Sequence, residues 1–257
     1  MPDHLLARAI AETATPLRDD SDLDAVIDGI GDARFVLLGE ATHGSREFYQ
    51  LRAAVTRRLI VEKGFGAIAA EADWPDADRA NRYIRHTGSD ANVIDALADF
   101  QRFPQWMWRN DEIVKLMTWL RAVNDVRPPS RRVGFYGLDM YSLHGSIEAV
   151  LRYLDRADPK AAARARERYA CFDGLGARPE LYAQATAMGL TPDCANDVLA
   201  QLVDLQRRRA SGDVDAFVAE QNARVVKNAE AYYRNMHVRG VSTWNLRDTH
   251  MMDTLDE

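Results

Sequence analysis

The sequence predicts an α/β protein in which a parallel-type sheet flanked by helices is followed by a mostly helical second half. Three observations predict it. Short apolar runs at 35–39, 67–70 and 133–138 have the length and composition of buried parallel strands. Amphipathic stretches at helical spacing separate these runs, the alternation that covers a parallel sheet with helices. From about residue 146 onward the periodicity is helical, with no strand pattern intervening.

Taken in order, residues 2–14 and 21–30 read as short helices, with Ser21 and Asp22 available as N-caps. Phe35-Val36-Leu37-Leu38-Gly39 is the first expected strand. Residues 45–63 read as a helix with Phe48, Leu51, Val55 and Leu59 on one face, and Gly64 suits its C-terminal cap. The second strand is expected at 67–70, and 74–86 return to helix with Pro75 in the first turn. The stretch 90–126 is further helix interrupted at Phe103-Pro104, and Pro128-Pro129 precedes the third expected strand at 133–138. Helices are then expected over 146–157, 160–172, 193–209, 213–238 and 242–257. A weak boundary near 142–145 sets residues 1–145, the α/β portion carrying the candidate site, apart from a helical layer or cap over 146–257.

The totals narrow the class. A net charge of -6 over 257 residues lacks the concentrated positive face that nucleic acid requires. No apolar run approaches the roughly 20 residues that span a bilayer. The amino-terminal segment has acids and no apolar signal region, so a cytoplasmic protein without membrane partners is expected. In that compartment Cys171 and Cys194 are expected as unpaired thiols, with a disulfide as the alternative.

Each apolar run ends in a carboxylate: Glu40, Glu71 and Asp139. The carboxyl ends of parallel strands form the edge where ligands bind, so three acids there suggest a shared polar pocket, against the alternative of caps and solvated loops. Gly39-Glu40-Ala41-Thr42-His43-Gly44 adds an imidazole three residues after its acid. Histidine moves protons near neutral pH, and a carboxylate beside it orients the ring. Arg52 lies on the apolar face of the next helix, where a guanidinium needs carboxylate partners. Glu40 and Glu71 are the nearest by topology, unless Arg52 snorkels from the edge of the stripe. Asp73 and Trp74 follow Glu71 directly, and Trp106 belongs to an aromatic cluster that serves either core packing or an apolar ligand wall. Tyr141 follows Asp139, and Arg247 sits in a polar group on the last helix. Glu40, His43 and Glu71 suit a divalent metal, but Arg52 fills the positive role, which favours a site with no metal and no cofactor. No serine elbow, phosphate-binding glycine loop or paired-histidine zinc motif is present.

These segments together resemble the erythromycin esterase family, the macrolide-lactone hydrolases associated with macrolide antibiotic resistance, and their relatives. The carrying residues are 37–44, Glu47-Phe48, Leu51-Arg52, 70–74, 135–139 and 245–251. The resemblance implies a metal-independent hydrolase of carboxylic esters or lactones. His43 would activate water, while Glu40, Arg52 and Glu71 orient histidine, water and substrate. Asp73, Trp74, Trp106, Asp139, Tyr141 and Arg247 would contact a small-molecule ester or lactone. Family members are usually longer and carry a later histidine-rich segment that nothing in 140–257 matches. The chain is therefore expected to correspond to an N-terminal portion, and a catalytically incomplete remnant or binding module is the alternative function.

Overall fold

The computed structural model of the chain describes residues 3–14, 16–17, 20–173, 178–209 and 212–257. Helix α1 (Asp3–Thr13) is followed by a 3-10 turn over Asp20–Leu23 and by α2 (Asp24–Ile30). Ser21 and Asp22 thus lie inside that turn, one step before the helix they were expected to cap. Then come α3 (Arg46–Glu62), β1 (Ala67–Asp73), α4 (Trp74–Ile84), α5 (Val93–Ala96), α6 (Asp111–Asp125) and β2 (Gly134–Asp139). The second half is helical: α7 (Leu143–Ala157), α8 (Pro159–Tyr169), α9 (Pro179–Ala187), α10 (Ala195–Arg208), α11 (Val214–Asn235) and α12 (Thr243–Asp256). The expected α/β class with a helical second half is what the molecule shows. The sheet among the described residues has two parallel strands, β1 and β2.

The first expected strand does not form. Residues 35–40 adopt no regular structure, and Phe35, Leu37 and Leu38 are exposed, Leu37 to 91%. Apolar, β-prone composition makes a strand only where a neighbouring ladder accepts its backbone hydrogen bonds, and none does among the described residues. The face of α3 is also rotated from expectation. Tyr49, Ala53, Val55, Leu59 and Ile60 are buried, while Phe48 and Leu51 sit at the surface. Gly64 does end this helix region, in the left-handed conformation at φ 76°.

Two side-chain amides lock the sheet to its helices. Asn81 of α4 accepts from Phe135 N at 3.0 Å. Buried Asn124 of α6 donates to the carbonyls of Ile84 and Val133 and accepts from Val133 N at 2.8 Å. Between Ala70 and Asp73 the register is irregular, which brings Asp73 level with Asp139. That close approach requires Gly137, since a Cβ there would lie 2.5 Å from the Ala72 carbonyl oxygen. One core packs α3, α4, α6 and the strands around Ile60, Ile84, Met117, Leu120 and Phe135. A second unites α7 to α11 around Leu154, Tyr182, Val198 and Val226. Trp74, Met140 and Val225 form a further, smaller cluster.

The cysteines differ from expectation: Cys171 and Cys194 form a disulfide across 23 residues, tying the end of α8 to the start of α10. Folding brings their Cα atoms to 5.9 Å, a juxtaposition that spacing along helices does not reveal. No helix among the described residues is long and apolar enough to cross a membrane.

Candidate functional site

Glu40 and His43 stand on the irregular segment before α3, three residues apart, and their side chains meet: His43 Nδ1 lies 2.8 Å from Glu40 Oε2. Arg52, two turns into α3, donates to the other carboxylate oxygen, Oε1, at 3.1 Å. Both oxygens of Glu40 are therefore engaged. A carboxylate only accepts, so Nδ1 carries the ring proton of neutral His43 and Nε2 presents a lone pair. The Arg52 guanidinium also lies 5.0 Å from the Tyr49 ring centre. His43 lines a cavity of about 230 Å³ with Tyr49, Trp106, Asn110, Asp111 and Glu112. The Tyr49 hydroxyl is buried without a hydrogen-bond partner, and burial, followed by the charge of Glu40, pushes its pKa up.

A second cluster gathers at the strand ends. Arg247 of α12 reaches Asp139 at the end of β2 with two hydrogen bonds, 3.0 Å to Oδ1 and 2.8 Å to Oδ2, and also donates to Glu71 of β1. Burial opposes its charge, yet the bonds to Asp139 and Glu71 outweigh that and raise its pKa. Arg102 donates to Asp73 Oδ2 at 3.0 Å and lies 3.7 Å from Asp139. Tyr141 sits between the two cations, with Arg102 4.5 Å and Arg247 5.0 Å from its ring. Asp73 is buried, and loss of solvent raises its pKa in spite of Arg102. Asp76, facing Asp73, Asp99 and Arg102, is pushed up to about 8, first by burial and then by its acidic neighbours.

The expected partnership of Arg52 with both Glu40 and Glu71 is thus half right. Arg52 takes Glu40, and Glu71 goes to Arg247, which α12 delivers from 176 residues away. No hydrogen bond or ion pair among the described residues joins the two clusters. Trp106 lies at the His43 cavity, while Trp74 is buried, stacked on Tyr136 and edge-on to Phe217. Among the described residues no three His, Cys, Asp or Glu side chains converge as a metal site.

Sequence reasoning missed Tyr49, Arg102 and His250. His250 had a readable signal, lying three residues after Arg247 and so on the same face of α12. Its Nδ1 meets Asn228 Nδ2 at 2.7 Å, its Nε2 has no partner, and burial pulls its pKa down to about 4. Arg102 had none, because only folding brings it to Asp73.

Comparisons with known proteins include a family model that covers most of the chain. The family model of erythromycin esterase matches residues 60–257. Glu71, Asp73, Asp139 and Arg247 fall inside that span, and Glu40, His43 and Arg52 precede it. The chain is 29% identical over 136 residues to an erythromycin esterase type II of Escherichia coli, covering 51% of this chain and 30% of that protein. A solved structure described as a succinoglycan biosynthesis protein superposes with a TM-score of 0.75 at 22% identity, over 98% of this chain and 62% of the other. A mutant of the erythromycin esterase EreC in its open conformation gives 0.69 at 16% identity, over 93% and 60%. The chain therefore spans about a third of the length of the curated relative and under two thirds of the solved chains. With the family model matched over residues 60–257, most of its length, this chain belongs to the erythromycin esterase family.

Proposed function

We propose that the chain carries the water-activating part of a hydrolase for carboxylic esters or lactones, with His43 as general base and no metal in the reaction. The observation that supports this reading is the Arg52–Glu40–His43 relay opening on a cavity of about 230 Å³. Glu40 holds the proton on Nδ1 and stabilises the imidazolium, so Nε2 takes a proton from water as its oxygen attacks the ester carbonyl. The carbonyl electron pair moves to oxygen. When the tetrahedral intermediate collapses, the departing alkoxide takes that proton back. Tyr49 and Trp106 give the cavity an aromatic wall suited to an apolar acyl or lactone body.

The test is cleavage of a p-nitrophenyl ester by the purified chain. His43→Ala should lower turnover by about 10²–10⁴-fold, the usual worth of a general base, with the circular dichroism spectrum unchanged. Glu40→Gln should lower kcat in the same direction. Full activity in His43→Ala ends this reading.

A second reading is a binding module without turnover, and the separation of the Glu71–Arg247–Asp139 cluster from His43 favours it. Ester cleavage that depends on His43 removes it.

A further inference from the structure

Net charge describes the whole chain, and folding distributes it unevenly. At the edge where the two strands begin, opposite Glu71 and Asp139, helices α3, α4 and α6 all end. Five arginines gather there: Arg85, Arg121, Arg127, Arg131 and Arg132. None of them forms an ion pair among the described residues. Four are held by main-chain carbonyls instead. Arg127 donates to the Ile60 carbonyl at 3.4 Å and Arg121 to that of Tyr83, oxygens in the last turns of α3 and α4. Arg85 and Arg132 each donate to the other's carbonyl, at 2.7 and 2.6 Å. A helix C-terminus carries only about half a negative charge, so these bonds fix the guanidinium groups without neutralising them. The carboxylates of the same helix ends are taken, Glu62 by Arg58 at 2.6 Å and Asp125 by His86 at 2.9 Å. Exposed Lys63, at the end of α3, adds a further cation.

Two apolar side chains stand among these cations. Val61 and Val126 are exposed to 65% and 86%, the first following Ile60 in α3 and the second preceding Arg127. A nucleic-acid strand has no use for either valine. The Trp119 ring between α3 and α6 carries the Arg57 guanidinium 5.5 Å from its centre, instead of standing free to stack on a base. A peptide that alternates acidic and apolar residues uses both kinds of group. We propose that this edge is a docking surface for an acidic peptide segment of a partner protein. Its carboxylates would pair with Arg127, Arg131 and Arg132, and its apolar side chains would cover Val61 and Val126. Guanidinium forks take carboxylate oxygens two at a time. Carbonyl bonds already restrain most of these arginines, so less side-chain freedom is lost on binding.

The experiment is fluorescence anisotropy with the full chain and three labelled probes: a peptide of alternating glutamate and leucine, an oligoglutamate of equal length, and an oligouridylate. The alternating peptide should bind most tightly, and its affinity should fall as salt is raised, because exposed charges carry the contact. The double variant Arg127→Gln/Arg131→Gln should weaken it about tenfold. It leaves the fold intact, since glutamine keeps a donor for the Ile60 carbonyl and Arg131 is exposed. Arg164→Ala/Arg166→Ala, at exposed positions of α8 in the second core, should leave binding unchanged. Val126→Ser should erase the advantage of the alternating peptide over oligoglutamate. Absence of saturable peptide binding overturns the proposal, as does unchanged binding by the Arg127/Arg131 variant. An equal loss in the α8 variant overturns it too, since the attraction is then one of overall charge. Tighter binding of oligouridylate than of the peptide overturns it and assigns the edge to nucleic acid.

Discussion

Asp76 and His250 are two side chains whose environments move their protonation into the accessible pH range. Asp76 titrates near 8 in the folded chain against an ordinary 3.8. Between those values the folded state keeps a proton that the unfolded state has released, so stability falls as pH rises through the window and the loss is complete above about 8. Asp73, raised in the same direction, adds to that limb. His250 acts oppositely: it stays neutral down to about 4 when folded, so stability falls as pH drops below its ordinary 6.5. Asp76→Asn is neutral throughout and should flatten the alkaline limb, a difference of order a few kcal/mol between pH 5 and 9. Urea midpoints at pH 5, 7 and 9 check it, and parallel slopes for wild type and variant would show that Asp76 is not the source.

At the scale of elements, α12 is held to the sheet by Arg247. Its guanidinium inserts between the ends of β1 and β2, where Asp139 is 1% exposed. Arg247→Ala leaves that buried carboxylate without its two hydrogen bonds and with only Arg102 at 3.7 Å. The loss therefore approaches about 3–5 kcal/mol, the cost of removing one member of a buried pair. Asp139→Asn in the same background should recover part of the loss by removing the stranded charge. Denaturant unfolding of the single and double variants measures both. If Arg247→Ala costs less than about 1 kcal/mol, α12 is anchored by its apolar contacts instead.

For the whole molecule, the notable surface lies where the first strand was expected. Phe35, Leu37 and Leu38 are exposed to 64%, 91% and 40%. Exposed apolar groups of this kind promote association rather than stability. Leu37→Lys should therefore leave the unfolding midpoint almost unchanged, within about 0.5 kcal/mol, and reduce self-association at high concentration. Light scattering together with thermal unfolding tests both halves. A large loss of stability would mean that Leu37 is packed in solution.

Much of this fold was legible because it is locally decided. Gly64 and Pro75 mark helix ends through backbone conformations that need no distant partner, and the runs at 67–70 and 133–138 became β1 and β2. Within the candidate site, Glu40 and His43 were readable together because three residues of separation bring their side chains within reach. The fate of the apolar run at 35–39 was not readable, because a strand is a property of two segments side by side and composition describes one. Nor was the choice of Arg247 rather than Arg52 as the cation for Glu71, since charge neutralisation is indifferent to sequence distance and depends on which helix end folding delivers. Spacing and backbone chemistry thus determined the α/β order and the Glu40–His43 pair. Tertiary packing decided the partners of Glu71 and Asp139, the Cys171–Cys194 bond and the arginine edge where the strands begin, because each joins groups that only a completed core brings together.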